Sequence, residues 1–172
     1  MGKTSEGRTL SLYLNVGHRE PMKKVQSATF VAGTGHNPDP EWTYSASAMS
    51  QSATLEAGMG IEGDRHFTDR EQRQYYSVLL MDQETLQELG LEPGIIKENI
   101  TSTGIDVASL EPGQQVALGD EVVIQISKPC APCSRMDEIR PGLQDELDGR
   151  RGMLASVVTG GTVNVGDPIR VC

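Results

Sequence analysis

The chain has 172 residues, a length that suits a single domain with its own hydrophobic core. Its formal net charge of −9 argues against nonspecific binding to nucleic acid or to anionic membranes. It holds no apolar run of about 18 residues, the length that a membrane span requires. Three cysteines, an odd number, do not suit a secreted disulfide framework. We therefore expect a cytoplasmic protein that binds neither nucleic acid nor membranes.

Most of the chain is predicted to form short β-strands. In residues 9–16, apolar residues alternate with others, so that Leu10, Leu12 and Leu14 share one face of a half-buried strand. The same kind of reading predicts further strands over 25–32, 76–81, 95–100 and 116–126, the last divided by a turn at Gly119-Asp120.

Two short helices are predicted between these strands. Asp82 is a candidate N-cap for a helix over 83–89, and Gly90 is placed to end it. Pro141 can begin a second short helix, with Gly149 beyond its end.

The C-terminal part is predicted to form a β-hairpin. Strands over 154–158 and 163–165 flank Gly160-Gly161, and two glycines can supply the positive φ angles of a tight turn. A last short strand is predicted over 169–171. Many short strands with two or more short helices predict a mostly β, single-domain fold whose strands form a closed or nearly closed barrel.

Residues 36–60 interrupt this pattern. Ala28–Gly35 is echoed by Ala53–Gly60, and the stretch between them is rich in Ser, Ala and Pro and holds Trp42, the only tryptophan. We interpret 36–60 as an inserted loop, which is either a lid over a site or a surface insertion.

The stretch Lys128–Arg135 carries the clearest chemical signal. It follows a predicted strand and holds two of the three cysteines, Cys130 and Cys133. Nearby cations favour the thiolate, which is the form that binds metals and attacks electrophiles. Two prolines in the stretch limit the freedom of its backbone. The pattern indicates a functional site built around a thiol.

Five short motifs occur in the order in which they occur in the MOSC domain, the module named from the C-terminal part of molybdenum cofactor sulfurase. They are Gly60-Ile61-Glu62-Gly63-Asp64-Arg65-His66, Glu98-Asn99-Ile100-Thr101, Pro132-Cys133, Arg151-Gly152 and Gly166-Asp167-Pro168. Each motif alone is common, but the ordered set is specific. With the first strands included, the chain resembles the MOSC domain over nearly its whole length, and the segment from 36 to 60 departs from the family pattern.

The resemblance implies a MOSC-type, pyruvate-kinase-barrel-like mixed β-barrel that binds molybdenum cofactor, a molybdenum–molybdopterin. In family members that bind this cofactor, a cysteine at the end of a barrel strand ligates the metal; in the sulfurase it has been proposed to carry sulfur. Cys133 matches that catalytic and metal-binding position, with Cys130 as an alternative ligand, a disulfide partner or a spare thiol. The predicted cofactor-binding residues are Arg65, His66, Lys97, Asn99 and Arg151.

The residue chemistry agrees with this assignment. Thiolate is the softest protein donor for molybdenum, and Arg65 and Arg151 suit the phosphate of the pterin. Asn99 can bond to the edge of a pterin ring. The resemblance implies a small molybdenum-dependent oxidoreductase that reduces N-hydroxylated or N-oxide compounds with electrons from partner proteins. The alternative is a carrier that passes cofactor or sulfur to apo-molybdoenzymes.

Each of these residues also has a structural alternative. Asp64 can bond its own backbone in a turn, and Asn99 can satisfy backbone groups at a strand end. His66 can be an ordinary core or surface histidine, and Arg135 and Arg140 can form a solvated helix face.

Two other site classes use the same thiols. A structural zinc site would take Cys130 and Cys133 as half of a ligand set, but no paired spacing for the other half is present among Cys172, His18, His36 and His66. A thioredoxin-like role needs a βαβ setting that the predicted strands do not provide.

Overall fold

The computed structural model describes residues 5–32, 60–68 and 75–172. The strands of this part of the chain are β1 (Glu6–Leu14), β2 (Lys23–Val25), β3 (Ser27–Val31), β4 (Gly60–Ile61), β5 (Val78–Asp82), β6 (Ile100–Thr103), β7 (Gln115–Leu118), β8 (Val122–Pro129), β9 (Met153–Thr159), β10 (Gly161–Asn164) and β11 (Pro168–Val171). The α-helices are α1 (Gln83–Glu88), α2 (Arg135–Ile139) and α3 (Leu143–Glu146). The predicted insertion at 36–60 lies outside the described residues, except for Gly60. No helix of the described ranges is long and apolar enough to cross a membrane.

Seven strands close into a barrel. Their order around it is β1, β6, β5, β9, β8, β7 and β11, and β11 pairs with both β7 and β1. The pair β5 and β6 runs parallel, whereas the other neighbouring pairs of the barrel run antiparallel. The structure therefore confirms the predicted mostly β, mixed-barrel, single-domain fold.

Alternation along the strands decides which side chains fill the barrel. On β8, Ile124 and Ile126 are fully buried in the main core, and on β9 the residues Ala155 and Val157 face the same interior. The residues between them in sequence point to the other side of the sheet. The outer face of the barrel is therefore available to helices and to a site.

The chain leaves the barrel at Gly160-Gly161, and the predicted hairpin is wrong. β10 pairs with β3, and β3 with β4, in a separate three-stranded sheet. Gly161 has a φ of 151° and Gly160 is not in the positive-φ region, so no tight primed turn forms. A Cβ on Gly160 would lie 2.7 Å from the Phe30 carbonyl oxygen. The two glycines therefore allow a close approach of β10 to β3 instead of a turn back to β9.

A second apolar cluster covers the outer face of the barrel. Met81 of β5 packs there with residues of all three helices and of the loop that precedes β6. Its buried members are Met81, Leu86, Leu91, Ile96, Met136, Leu143 and Leu147. Asp82 caps α1 as predicted, because its Oδ1 accepts a hydrogen bond from the Thr85 amide at 2.7 Å. This cluster fixes α2 and the cysteine loop against the barrel.

The strand predicted over 95–100 is wrong for all but its last residue. β6 begins at Ile100, and the preceding residues form turns in which the amide of Lys97 bonds to Gly94. The buried carboxyl of Glu98 accepts hydrogen bonds from the Gly94 amide and the Thr101 hydroxyl. Lys97 has a φ of 71°, which no β-strand residue adopts. The chain therefore turns at Lys97 before it enters the sheet.

Candidate functional site

A pocket of about 690 Å³ lies on the outer face of the barrel, between β5, β9, α2 and the loops that follow β1 and β8. Leu79 and Leu154 form part of its wall, and they are paired across β5 and β9. Their neighbours Leu80 and Met153 point into the barrel core instead. The pocket volume falls within the range of about 300–1,000 Å³ that is typical of small-molecule sites.

The pocket is basic although the protein is acidic. All the predicted site residues line it, together with others that were not predicted from the sequence. In the part of the chain that the structure describes, its charged lining residues other than His66 are one carboxylate, Glu138, and the cations Arg19, Arg65, Lys97, Arg135 and Arg151. In a chain with a net charge of −9, this concentration of positive charge indicates a site for an anionic ligand.

Cys130 and Cys133 both line the pocket directly after β8. Both are partly exposed free thiols, and Cys133 also packs against the apolar cluster under α2. Burial raises the pKa of the Cys130 thiol, and the charges of Arg151 and Lys128 offset only part of this effect. The flanking cations therefore act in the expected direction at Cys130, but burial has the larger effect.

Arg151 ties the cysteine loop to the turn before β6. Its guanidinium donates to the carbonyl oxygens of Ala131 at 2.9 Å and of Ile96 at 3.3 Å. The next residue, Gly152, accepts from the Cys130 amide at 3.0 Å and has a φ of 87°. A Cβ on Gly152 would lie 2.3 Å from the Leu80 carbonyl oxygen. Gly152 is therefore needed for the close contact with β5, and Arg151 for the position of the cysteine loop.

Asp64 is the centre of a buried hydrogen-bond network at the pocket wall. One carboxylate oxygen accepts from the His66 amide at 2.8 Å and from the His66 Nδ1 at 2.9 Å. The other accepts from the Asn15 amide at 2.6 Å and from the Asn99 Nδ2 at 2.8 Å. Burial raises the pKa of Asp64, but the hydrogen bonds from His66 and Asn15 outweigh it, so the pKa lies below its ordinary value. Asp64 is therefore ionised at neutral pH.

His66 is held by Asp64 and open to the pocket. Its side chain is 50% exposed, whereas that of Asp64 is fully buried. With Nδ1 bonded to the carboxylate, Nε2 is the ring nitrogen that has no partner among the described residues. This arrangement gives His66 a fixed orientation and a nitrogen that can exchange a proton with a bound molecule.

Asn99 lines the pocket, but its amide group is engaged inside the protein. Its Oδ1 accepts from the Leu79 amide at 3.0 Å, and its Nδ2 donates to Tyr13 and to Asp64. Asn99 therefore joins β1, β5 and the Asp64 network, in the manner of the structural alternative. Its contribution to the site is to position Asp64.

The solvent side of the pocket holds Arg19, Lys97 and Glu138. Arg19 forms an exposed ion pair with Glu138 of α2 at 3.6 Å. The Lys97 ammonium group donates to the Glu20 carbonyl oxygen. Desolvation lowers the pKa of Lys97, and the nearby charge of Arg135 lowers it further.

Several residues that line the pocket were not predicted from the sequence. They are Asn15, Arg19, Tyr76 and Ser77, and Arg135, which was interpreted as part of a solvated helix face, lines the pocket too. Arg135 stands two positions after Cys133, which was an available signal. The loop residues were not detectable, because only the barrel brings the end of β1 beside the start of β6. Arg140, the other predicted helix-face arginine, bonds instead to Leu89 and to Glu146.

In residues 5–32, 60–68 and 75–172, no group of three or more His, Cys, Asp or Glu side chains is placed to hold a metal ion.

Solved structures share this fold. The YuaD protein of Bacillus subtilis matches with a TM-score of 0.67 at 17% identity, over 96% of this chain and 95% of that chain. YiiM of Escherichia coli matches at 0.59 with 17% identity, over 96% of this chain and 69% of that one. YiiM of Geobacillus stearothermophilus matches at 0.62 with 14% identity, over 96% and 75%. No curated protein matches the sequence significantly.

The sequence itself identifies the family. The model of the MOSC domain matches residues 62–170, which is more than half of the chain. The match includes Asp64 and His66, both cysteines of the β8 loop, and Arg151. The chain belongs to the MOSC domain family.

Proposed function

We propose that this protein binds molybdenum–molybdopterin through Cys133 and is an oxidoreductase that reduces N-hydroxylated or N-oxide compounds. The pocket residues fit such a cofactor by their chemistry. Cys133 offers a partly exposed soft donor, and the lining cations suit an anionic phosphate. Family membership supports the same cofactor, because the MOSC domain is associated with molybdenum cofactor in general.

The observation that carries the oxidoreductase proposal is that His66, held by the buried Asp64, lines the same pocket as Cys133. Reduction of an N–OH group to N–H consumes two electrons and two protons and releases water. The cofactor, when bound, supplies the electron-transfer chemistry. The protein must supply the protons at the place where the N–O bond breaks.

The residues of the chain take separate roles in this proposal. His66 donates a proton from Nε2 to the leaving oxygen, while the ionised Asp64 holds Nδ1 and stabilises the protonated ring. Asn99 fixes Asp64 through its Nδ2. Arg65 and Arg151 neutralise the negative charge of the cofactor phosphate. A carrier of cofactor or sulfur would need the thiol but would not need the proton donor.

Turnover per molybdenum tests the proposal. The protein is produced in a host that makes the cofactor and is then supplied with a reduced dye and a panel of N-hydroxylated compounds. We expect many turnovers per molybdenum in the wild type, with molybdenum and activity lost in Cys133→Ser and both kept in Cys172→Ser, which removes an exposed free thiol outside the pocket. His66→Gln should keep molybdenum and lose activity by about 10²–10⁴-fold, the usual contribution of general acid catalysis.

Two results would reverse these assignments. Molybdenum retention in Cys133→Ser together with its loss in Cys130→Ser would move the ligand to Cys130. No repeated turnover, combined with one-to-one activation of an apo-molybdoenzyme, would replace the oxidoreductase with the carrier.

A further inference from the structure

Three of the pocket cations form a connected group at the solvent side. Arg19 pairs with Glu138 of α2, and the neighbour of Arg19, Glu20, accepts from the Lys97 ammonium group. Arg135 begins α2, and its charge acts on Lys97. These cations thus come from three separate parts of the chain. They are Arg19, Lys97 and Arg135, and we call them the rim cations.

The backbone at the rim cations is strained. In the described part of the chain, the non-glycine residues with positive φ are Arg19, at 64°, and Lys97, at 71°. A non-glycine residue in this region is destabilised relative to the ordinary backbone conformations and is uncommon for a long side chain without a local hydrogen bond of its own. Both strained residues are basic and both line the pocket. Strain of this kind concentrates where a side chain must be presented to a ligand.

The charge of the rim cations is poorly compensated. Among the described residues, Glu138 is the one carboxylate that lines the pocket, and its contact with Arg19 joins two largely exposed groups. Arg135 pairs with no carboxylate in the described residues. Lys97 bonds to a neutral carbonyl and faces a like charge. An anion bound between Lys97 and Arg135 would remove this repulsion.

Exposed apolar side chains stand beside the rim cations. Ile95 is 41% exposed and Ile139 is 38% exposed, and both line the same pocket. Ile95 stands two residues before Lys97 and Ile139 is the last residue of α2, so the rim combines positive charge with apolar surface. A ligand with an apolar body and an acidic group would complement both features.

We propose that the rim cations are a substrate subsite that binds a phosphate, phosphonate or carboxylate group, so that the compounds reduced by this protein are amphipathic anions. The assignment rests on the proposed function and gives its substrate class. It moves Lys97 from the predicted cofactor contacts to the substrate side, and leaves the cofactor phosphate to Arg65 and Arg151.

A matched pair of substrates tests the subsite. Benzamidoxime and its 4-phosphonate analogue carry the same reducible group and differ by the acidic group alone. With cofactor-loaded protein and a reduced dye, we expect kcat/KM to be at least about tenfold higher for the phosphonate, as a charged hydrogen bond of typical strength provides. Arg135→Gln and Lys97→Gln should each lower that ratio by about tenfold, mainly through KM. Arg150→Gln makes the same charge change outside the pocket, at an exposed pair with Glu88, and should keep the ratio.

A binding measurement gives a readout that needs no activity. Phenylphosphonate is titrated calorimetrically into wild type, the double variant Lys97→Gln/Arg135→Gln and Arg150→Gln, each purified from the host that makes the cofactor. We expect binding in the wild type and in Arg150→Gln, and about 100-fold weaker binding in the double variant. Circular dichroism verifies that each variant is folded.

The cofactor content of the variants distinguishes a subsite for the substrate anion from a site for the cofactor phosphate. The double variant should retain molybdenum and pterin phosphorus at the wild-type level. Loss of both would show that the rim cations hold the cofactor phosphate and would overturn the substrate assignment, as would equal phenylphosphonate binding in all three proteins. A wild type that binds phenylphosphonate but never retains molybdenum would overturn the proposed function and leave the anion subsite standing.

Discussion

At the scale of single residues, the site depends on one buried carboxylate. Asp64 accepts four hydrogen bonds, from two groups of His66, from the Asn15 amide and from the Asn99 side chain. All four partners are hydrogen-bond donors, so both terminal atoms of the side chain at position 64 must be acceptors. The bond from the His66 amide to Asp64 fits the turn role that is the structural alternative for this residue. Asn15 and Asn99 are distant from Asp64 in sequence, and they reach it because β1 and β6 are neighbours.

Asp64→Asn is expected to lower the free energy of unfolding by about 2–3 kcal/mol at pH 7, because the new amide group faces buried donors. Urea denaturation measures this loss. The folded pKa of Asp64 lies below its ordinary value of 3.8. Its stabilisation is therefore complete above the pKa of the unfolded chain and is lost as the pH falls through the folded value.

The difference between wild type and Asp64→Asn should accordingly shrink below about pH 3.8. The control is Asp148→Asn, an exposed position that should change stability by less than about 0.5 kcal/mol. A difference that does not vary with pH would contradict an ionised Asp64 at the centre of the network.

At the scale of elements, the pocket depends on two loops that face each other. The cysteine loop follows β8, and the turn at residues 94–97 precedes β6. Arg151 donates to a carbonyl oxygen in each. Arg65 has a different setting, since its guanidinium contacts only the His18 ring, at 3.4 Å, among the described residues. The two arginines carry the same charge but have different structural roles.

Arg151→Gln should therefore loosen both loops and weaken cofactor binding, whereas Arg65→Gln should weaken cofactor binding alone. Each lost contact to the cofactor phosphate is expected to cost about 1.5–3 kcal/mol in a cofactor titration. Hydrogen exchange should be faster in Arg151→Gln at the amides of Lys97 and Cys130, which are bonded in the wild type.

Arg150→Gln is the control for Arg151→Gln, because it removes a neighbouring charge from the surface pair with Glu88. It should change neither exchange nor cofactor affinity. Faster exchange at Lys97 and Cys130 in Arg65→Gln would contradict the separation of the two roles.

At the scale of the whole molecule, the last strand closes the barrel. β11 lies between β7 and β1, with Ile169 opposite Leu118 on one side and Gly7 on the other. Ile169 is fully buried in the main core. The pairing joins residues from the two ends of the described chain, so it forms only when the rest of the barrel is in place.

Ile169→Ala is expected to lower the free energy of unfolding by about 2–4 kcal/mol, because it leaves a cavity where the barrel closes. Arg170→Ala is the control in the same strand. Its side chain is exposed, and the change should cost less than about 0.5 kcal/mol. Thermal or urea unfolding measures both, and equal losses in the two variants would contradict closure through the core face of β11.

The sequence by itself predicted the features that depend on near neighbours. Asp82 caps α1 three residues away, and the strands over 116–126 are joined by a turn at Gly119-Asp120, as the local patterns indicated. The ordered motifs predicted the family and the barrel. The predicted ligand Cys133 and the predicted cofactor contacts line one pocket, although their chemical roles are still predictions.

The tertiary structure decided the features that depend on distant partners. Gly160-Gly161 resembles a hairpin turn in sequence, but the strand that pairs with β10 is β3, more than a hundred residues earlier. Lys97 lies within residues 95–100, which the sequence predicted as a strand, yet the contacts of Glu98 and Arg151 hold the chain in a turn there. Arg135 enters the pocket and Arg140 does not, because α2 is fixed by the apolar cluster beneath it. Local patterns specify elements, whereas packing between distant elements specifies which side chains meet.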